Sequence, residues 1–79
     1  MPTLARVDFL LSTLNATDIG TLESIAEKLG QVEEELQAMD QVELATRAAQ
    51  TRRALLSGDV AEFRRGRAFL QSKIGHLRG

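Results

Sequence analysis

Apolar residues recur at spacings of three and four along most of this chain, which is the pattern of a helix with one buried face. The first such row predicts a helix close to the N-terminus, with Pro2 in its first turn. Asn15, Thr17 and Asp18 follow this row and have side chains that bond readily to backbone amides, so we expect a turn and a new N-cap at Thr17 or Asp18. The apolar members of this first row are Leu4, Val7, Leu11 and Leu14.

The second helix is the most clearly patterned element. Its apolar row keeps strict three-and-four spacing, while glutamates occupy the other faces. Such a heptad row is typical of a buried helix face and also of a coiled-coil seam. The row consists of Leu22, Ile25, Leu29, Val32, Leu36 and Met39.

After Met39 the row slips by three residues, and Asp40 followed by Glu43 predicts a capping box that opens a third helix. No glycine or proline marks the junction, so a single long helix with a shifted register is the alternative. The row continues through Val42, Ala45, Ala49 and Leu56, flanked by Leu44, Ala48 and Leu55.

A last helix follows the turn at residues 57–59. Gly58 suits a left-handed C-cap, and Asp59 with Glu62 forms a second capping-box pattern. The final apolar row is Val60, Phe63, Leu70, Ile74 and Leu77, with Arg67 in register.

These rows predict an all-α protein, folded as one helical domain over residues 1–79. Short turns favour a small antiparallel bundle of three to four helices, and a helical hairpin with a long central helix is the alternative. Four apolar side chains find no obvious partner within such a bundle: Phe9, Leu36, Met39 and Phe69.

Cysteine is absent from the 79 residues, so neither a disulfide nor a thiolate metal site can hold the fold together. This composition fits a reducing compartment, and we expect a cytoplasmic protein. No apolar run approaches the roughly 20 residues that span a bilayer, so we expect no membrane partner.

The net charge of −1 conceals a strong asymmetry. Residues 1–46 hold two basic residues against nine acidic ones, whereas residues 47–79 hold eight basic residues against two acidic ones. Such a division is typical of a nucleic-acid surface or of two halves that attract each other within or between chains.

The sequence offers few candidate catalytic, metal-binding or phosphate-binding residues. The sole histidine, His76, has Lys73 where a helical metal site would place a glutamate, so we interpret it as a solvated residue near a helix C-terminus. The serines have no visible base beside them, and the glycines form no phosphate loop. We therefore predict no enzymatic activity, no metal, no cofactor and no small-molecule substrate.

Two short segments resemble DNA-associated proteins. Residues 25–30 resemble the first helix and turn of a helix-turn-helix, but the next helix would carry three glutamates toward phosphate, so we interpret Gly30 as lying inside a long helix. Residues 8–11 and 19–28 are similar to the opening of the haemolysin-expression-modulating proteins, small helical partners of nucleoid proteins. That similarity stops where the family is rich in aromatic residues, and we do not count it as membership.

The leading hypothesis is a non-enzymatic helical protein–protein interaction module that self-associates as a homodimer and acts as adaptor, escort or inhibitor of a protein partner. The alternative is a small regulator that acts on nucleic acid through the basic C-terminal half or beside a DNA-bound protein. The predicted interface is Leu29, Val32, Leu36, Met39 and Phe69, with Glu33, Glu34, Glu35, Arg64, Arg65 and Arg67 selecting orientation.

Overall fold

A computed structural model of the chain describes the backbone of residues 2–16 and 20–77 and the side chains of residues 7–16 and 20–77. It confirms an all-α bundle. The alternative with one long central helix is wrong, because the chain breaks at residues 39–41. Four helices follow one another: α1 (Pro2–Asn15), α2 (Leu22–Ala38), α3 (Val42–Leu56) and α4 (Val60–His76).

The break between α2 and α3 is made by Asp40, which adopts a left-handed conformation with φ of 62°. Its amide donates to the carbonyl of Gln37 at 3.0 Å, and the amide of Gln41 donates to that of Leu36 at 2.8 Å. These two bonds form a Schellman motif, so Asp40 ends α2. The predicted capping box at Asp40 is wrong, since the N-cap of α3 is Gln41.

The turn between α3 and α4 uses the same motif, here with Gly58 at φ 85° as predicted. The carboxylate of Asp59 accepts from the amide of Glu62 at 3.1 Å, which confirms the predicted cap of α4. The reciprocal half of the box is not formed by Glu62, whose carboxylate binds Arg65 instead.

Helix α2 begins later than the sequence predicted. Its N-cap is Thr21, whose hydroxyl accepts from the amide of Ser24 at 3.1 Å. The predicted caps, Thr17 and Asp18, lie outside the described residues. Gly30 lies within α2, as expected, and the turn that a helix-turn-helix would need there is absent from this described segment.

The helices close into a ring in which each contacts its two neighbours. Helix α3 packs against α2 and α4, and α1 also packs against α2 and α4. Among the described residues, no Cα atoms of α1 and α3, or of α2 and α4, lie within 8 Å of each other. The core between them consists of Val7, Leu10, Leu14, Leu29, Val32, Leu36, Leu44, Ala45, Ala48, Ala54, Phe63, Leu70 and Ile74.

The buried face of α3 differs from its predicted row. Val42 and Leu56, assigned to the core from the sequence, are 63% and 50% exposed. Thr51 is buried instead, because its hydroxyl donates to the carbonyl of Arg47 at 2.8 Å and so needs no water. Because Thr51 is polar, the spacing of apolar residues did not reveal which face of α3 is buried.

Candidate interaction groove

A groove of about 390 Å³ runs between the first half of α3 and the second half of α4. The two helices are antiparallel neighbours joined by a short turn, so the start of α3 lies beside the end of α4. Its walls combine apolar, basic and amide side chains. The lining residues are Gln41, Glu43, Leu44, Thr46, Arg47, Gln50, Phe69, Lys73 and Leu77.

The two helices approach each other closely at Thr51 and Gly66. A Cβ built on Gly66 would overlap the hydroxyl of Thr51 and lie 3.0 Å from its Cβ. Only a glycine lets the helices come this close. One turn further along, the opposed residues are the much larger Arg47 and Phe69, which lie in the groove.

Phe69 is the main apolar feature of the groove and is 40% exposed. The guanidinium carbon of Arg47 lies 5.2 Å from the ring centroid, and the ammonium of Lys73 lies 5.7 Å from it. Both distances are in the range of cation–π attraction. The ring is therefore fixed by two cations while part of its surface faces solvent.

Arg47 is only partly satisfied by its neighbours. One terminal nitrogen lies 3.5 Å from a carboxylate oxygen of Glu62, longer than the roughly 2.7–2.9 Å of a strong charge-assisted hydrogen bond. Its Nε is buried and has no acceptor among the described residues. Glu62 binds Arg65 more closely, at 2.8 and 3.2 Å.

The predicted interface residues separate into two groups. Leu29, Val32 and Leu36 are 0% exposed in the core, so they cannot meet a partner while the chain is folded. Leu36 thus has intramolecular partners, contrary to expectation, and Met39 packs partly against the same core. Phe69 is exposed as predicted.

The predicted orienting charges lie on two helices that are not neighbours in the ring. Within the described part of the chain, no Cα atoms of α2 and α4 lie within 8 Å of each other, and no ion pair joins Glu33, Glu34 or Glu35 to Arg64 or Arg65. Arg64 and Arg65 are exposed, whereas Arg67 lies half-buried over the ring of Phe63 at 5.8 Å. The contact of Glu33, Glu34 and Glu35 with another chain stays a prediction.

Arg52 and Arg53 lie on a different surface from Arg65. Arg52 and Arg53 line a groove beside Glu33 of α2, and Arg52 also borders Glu27 and Glu34. These basic side chains therefore lie next to the acidic helix, on the side of α3 away from α4.

The structure also bears on the predictions about metal binding, His76 and the membrane. No cluster of three or more metal-binding side chains occurs within residues 2–16 and 20–77. His76 is exposed in the last turn of α4, as the sequence predicted. In that same part of the chain, no helix is long and apolar enough to cross a membrane.

Comparison with known protein families, with curated proteins and with solved structures finds no match to this chain.

Two residues that shape the groove, Arg47 and Lys73, were not predicted from the sequence. A signal for Lys73 was present, since it follows Phe69 by four residues and so shares its helix face. Arg47 lies on another helix, and its contact with Phe69 could be inferred only once the register of α3 against α4 was known.

Proposed function

We propose that this chain is a non-enzymatic helical module that binds a helix of another protein in the groove between α3 and α4. The observation that carries the proposal is the partly exposed ring of Phe69, with the cations of Arg47 and Lys73 at 5.2 and 5.7 Å from its centroid. Aromatic residues and arginine are enriched in the buried cores of protein interfaces.

The dimensions of the groove suit a helical partner. Its α3 wall extends from Gln41 to Gln50, roughly 15 Å at the rise of an α-helix. The exposed Phe69 and the half-buried Leu77 provide apolar contacts along this length, and Leu44 belongs to the core beneath them. An amphipathic helix can place successive apolar side chains against such a row, which is a recurring mode of peptide recognition.

Adaptor, escort and inhibitor roles all require this type of contact, and we propose the module for that group of functions. We place it in the cytoplasm, because its fold is held by apolar packing with no disulfide.

Self-association as a homodimer is a further part of the proposal, now with different residues. The fully buried Leu29, Val32 and Leu36 are excluded, so a dimer would use apolar side chains that the fold exposes. We expect light scattering across a concentration series to show the mass rising, and a constant monomer mass would contradict self-association. Outside the α3–α4 groove, the large exposed apolar residues of the described chain are Phe9, Leu22, Val42, Leu56 and Val60.

A nucleic-acid role receives less support from the site. Arg65 is held at 2.8 Å by the carboxylate of Glu62. Arg52 borders the acidic surface of α2. Basic residues neutralised in this way contribute little to binding a phosphate backbone.

The proposal is tested with three synthetic amphipathic helices of about 18 residues, long enough to be partly helical in water. They share one apolar face and carry glutamate, lysine or glutamine on the other. We expect at least one to bind, measured by fluorescence anisotropy, and Phe69→Ala to weaken that binding by about tenfold, as for a central interface anchor.

Phe9→Ala is the matched control, because it removes the same exposed ring from α1, outside the groove. Binding should be unchanged in this variant. If no peptide of any charge binds, or if both variants lose affinity equally, the groove is not the docking site.

A further inference from the structure

We infer that the helix bound by the α3–α4 groove is acidic, with carboxylates that reach Arg47 and Lys73 while its apolar side chains cover Phe69. This inference rests on the proposed function and adds the charge of the partner. It follows from three features of the groove: the charges of α4, the incomplete pairing of Arg47 and the position of Lys73.

The solvent face of α4 is basic. Arg64, Arg65 and Lys73 are exposed on this helix, and its single acid is the half-buried Glu62. That acid is already bound to Arg65 at 2.8 Å. Because α2, with its glutamates, lies on the other side of α3, it does not offset this charge at the groove.

The two cations of the groove are within reach of one helix. Both lie within 5.7 Å of the same ring centroid, that of Phe69. Acidic side chains one turn apart on a helix are separated by about 5–6 Å at their Cβ atoms, so two of them can approach Arg47 and Lys73 together.

Arg47 would gain from such a carboxylate. Its ion pair with Glu62 is long, at 3.5 Å, and its side chain is 31% exposed, so a carboxylate of a partner can approach its terminal nitrogens. Charge-assisted hydrogen bonds to carboxylate are the strongest that a guanidinium makes. An incoming lysine would instead meet two cations beside the ring.

One acid, Glu43, also lines the groove. It is exposed in the first turn of α3, four residues before Arg47. Its single charge does not balance Arg47 and Lys73, so the groove keeps its preference for an acidic partner.

The test compares the glutamate and lysine peptides on the chain and on Lys73→Glu. On the unaltered chain we expect the glutamate peptide to bind about tenfold more tightly than the lysine peptide, with affinity that falls as salt rises. Lys73→Glu should weaken the glutamate peptide by about tenfold and strengthen the lysine peptide.

Arg53→Glu makes the same change in net charge on the side of α3 that faces α2, and it should leave both affinities nearly unchanged. If both charge reversals act alike, the effect is general electrostatics and the inference is overturned. Tighter binding of the lysine or the glutamine peptide also overturns it, while the proposed function stands. Failure of all three peptides removes both.

A second copy of the chain is the competing occupant. If the chain alone is a dimer by light scattering and Phe69→Ala makes it a monomer, the groove holds another copy and the inference of an acidic partner is wrong.

Discussion

At the scale of single residues, Gly66 determines how closely α3 and α4 can lie. Its missing side chain leaves room for Thr51, whose hydroxyl is held by a 2.8 Å bond to the carbonyl of Arg47 and so cannot rotate away freely. This contact also positions Arg47 beside Phe69, one turn along the groove.

We expect Gly66→Ala to destabilise the fold by about 1–2 kcal/mol, because overpacking against Thr51 exceeds the gain in helix propensity. Gly30→Ala is the control, since it adds a methyl group in open space inside α2 and should stabilise the fold by about 0.5–1 kcal/mol. Urea unfolding measures both changes. Equal stabilisation by the two substitutions would show that α3 and α4 do not approach closely at Gly66.

At the scale of the helices, the heptad row of α2 belongs to the interior of the folded chain. Leu36 is 0% exposed, whereas Leu22, at the start of the same row, is 48% exposed. The row therefore changes from surface to core along one helix, which its spacing alone does not reveal.

Leu36→Glu should consequently abolish cooperative folding, because an unpaired charge would enter the core of a domain of marginal stability. The same substitution at Leu22 should preserve the helical circular dichroism signal and change the free energy of unfolding by less than about 1 kcal/mol. A folded Leu36→Glu chain with a lower mass than the unaltered protein would restore the row as an interface between copies.

The sequence was sufficient to predict the helical class, the start of α1 near Pro2 and the turn at Gly58, since each depends on local spacing or on one residue's conformational preference. It was insufficient at the end of α2, where Asp40 occupies a left-handed position that glycine usually takes. The register of α3 was hidden by the buried Thr51. The groove was only partly predictable, because Phe69 was identified alone and its contact with Arg47 depends on how two helices pack.

At the scale of the whole molecule, charge and exposed apolar surface are distributed unevenly around the ring of helices. The acidic residues of α2 and the basic residues of α4 lie on opposite sides of α3. Phe69 lies on the basic side, within the groove. The central claim is that this side binds an acidic helix of another protein.

The most direct test is a two-dimensional ¹H–¹⁵N NMR titration of the labelled chain with the glutamate peptide. Saturable shifts are expected for amides along the groove, at Leu44, Arg47, Phe69 and Lys73, with little change at Glu23 and Glu27 on the exposed face of α2. Shifts confined to other surfaces, or a spectrum unchanged at high peptide concentration, would contradict the claim.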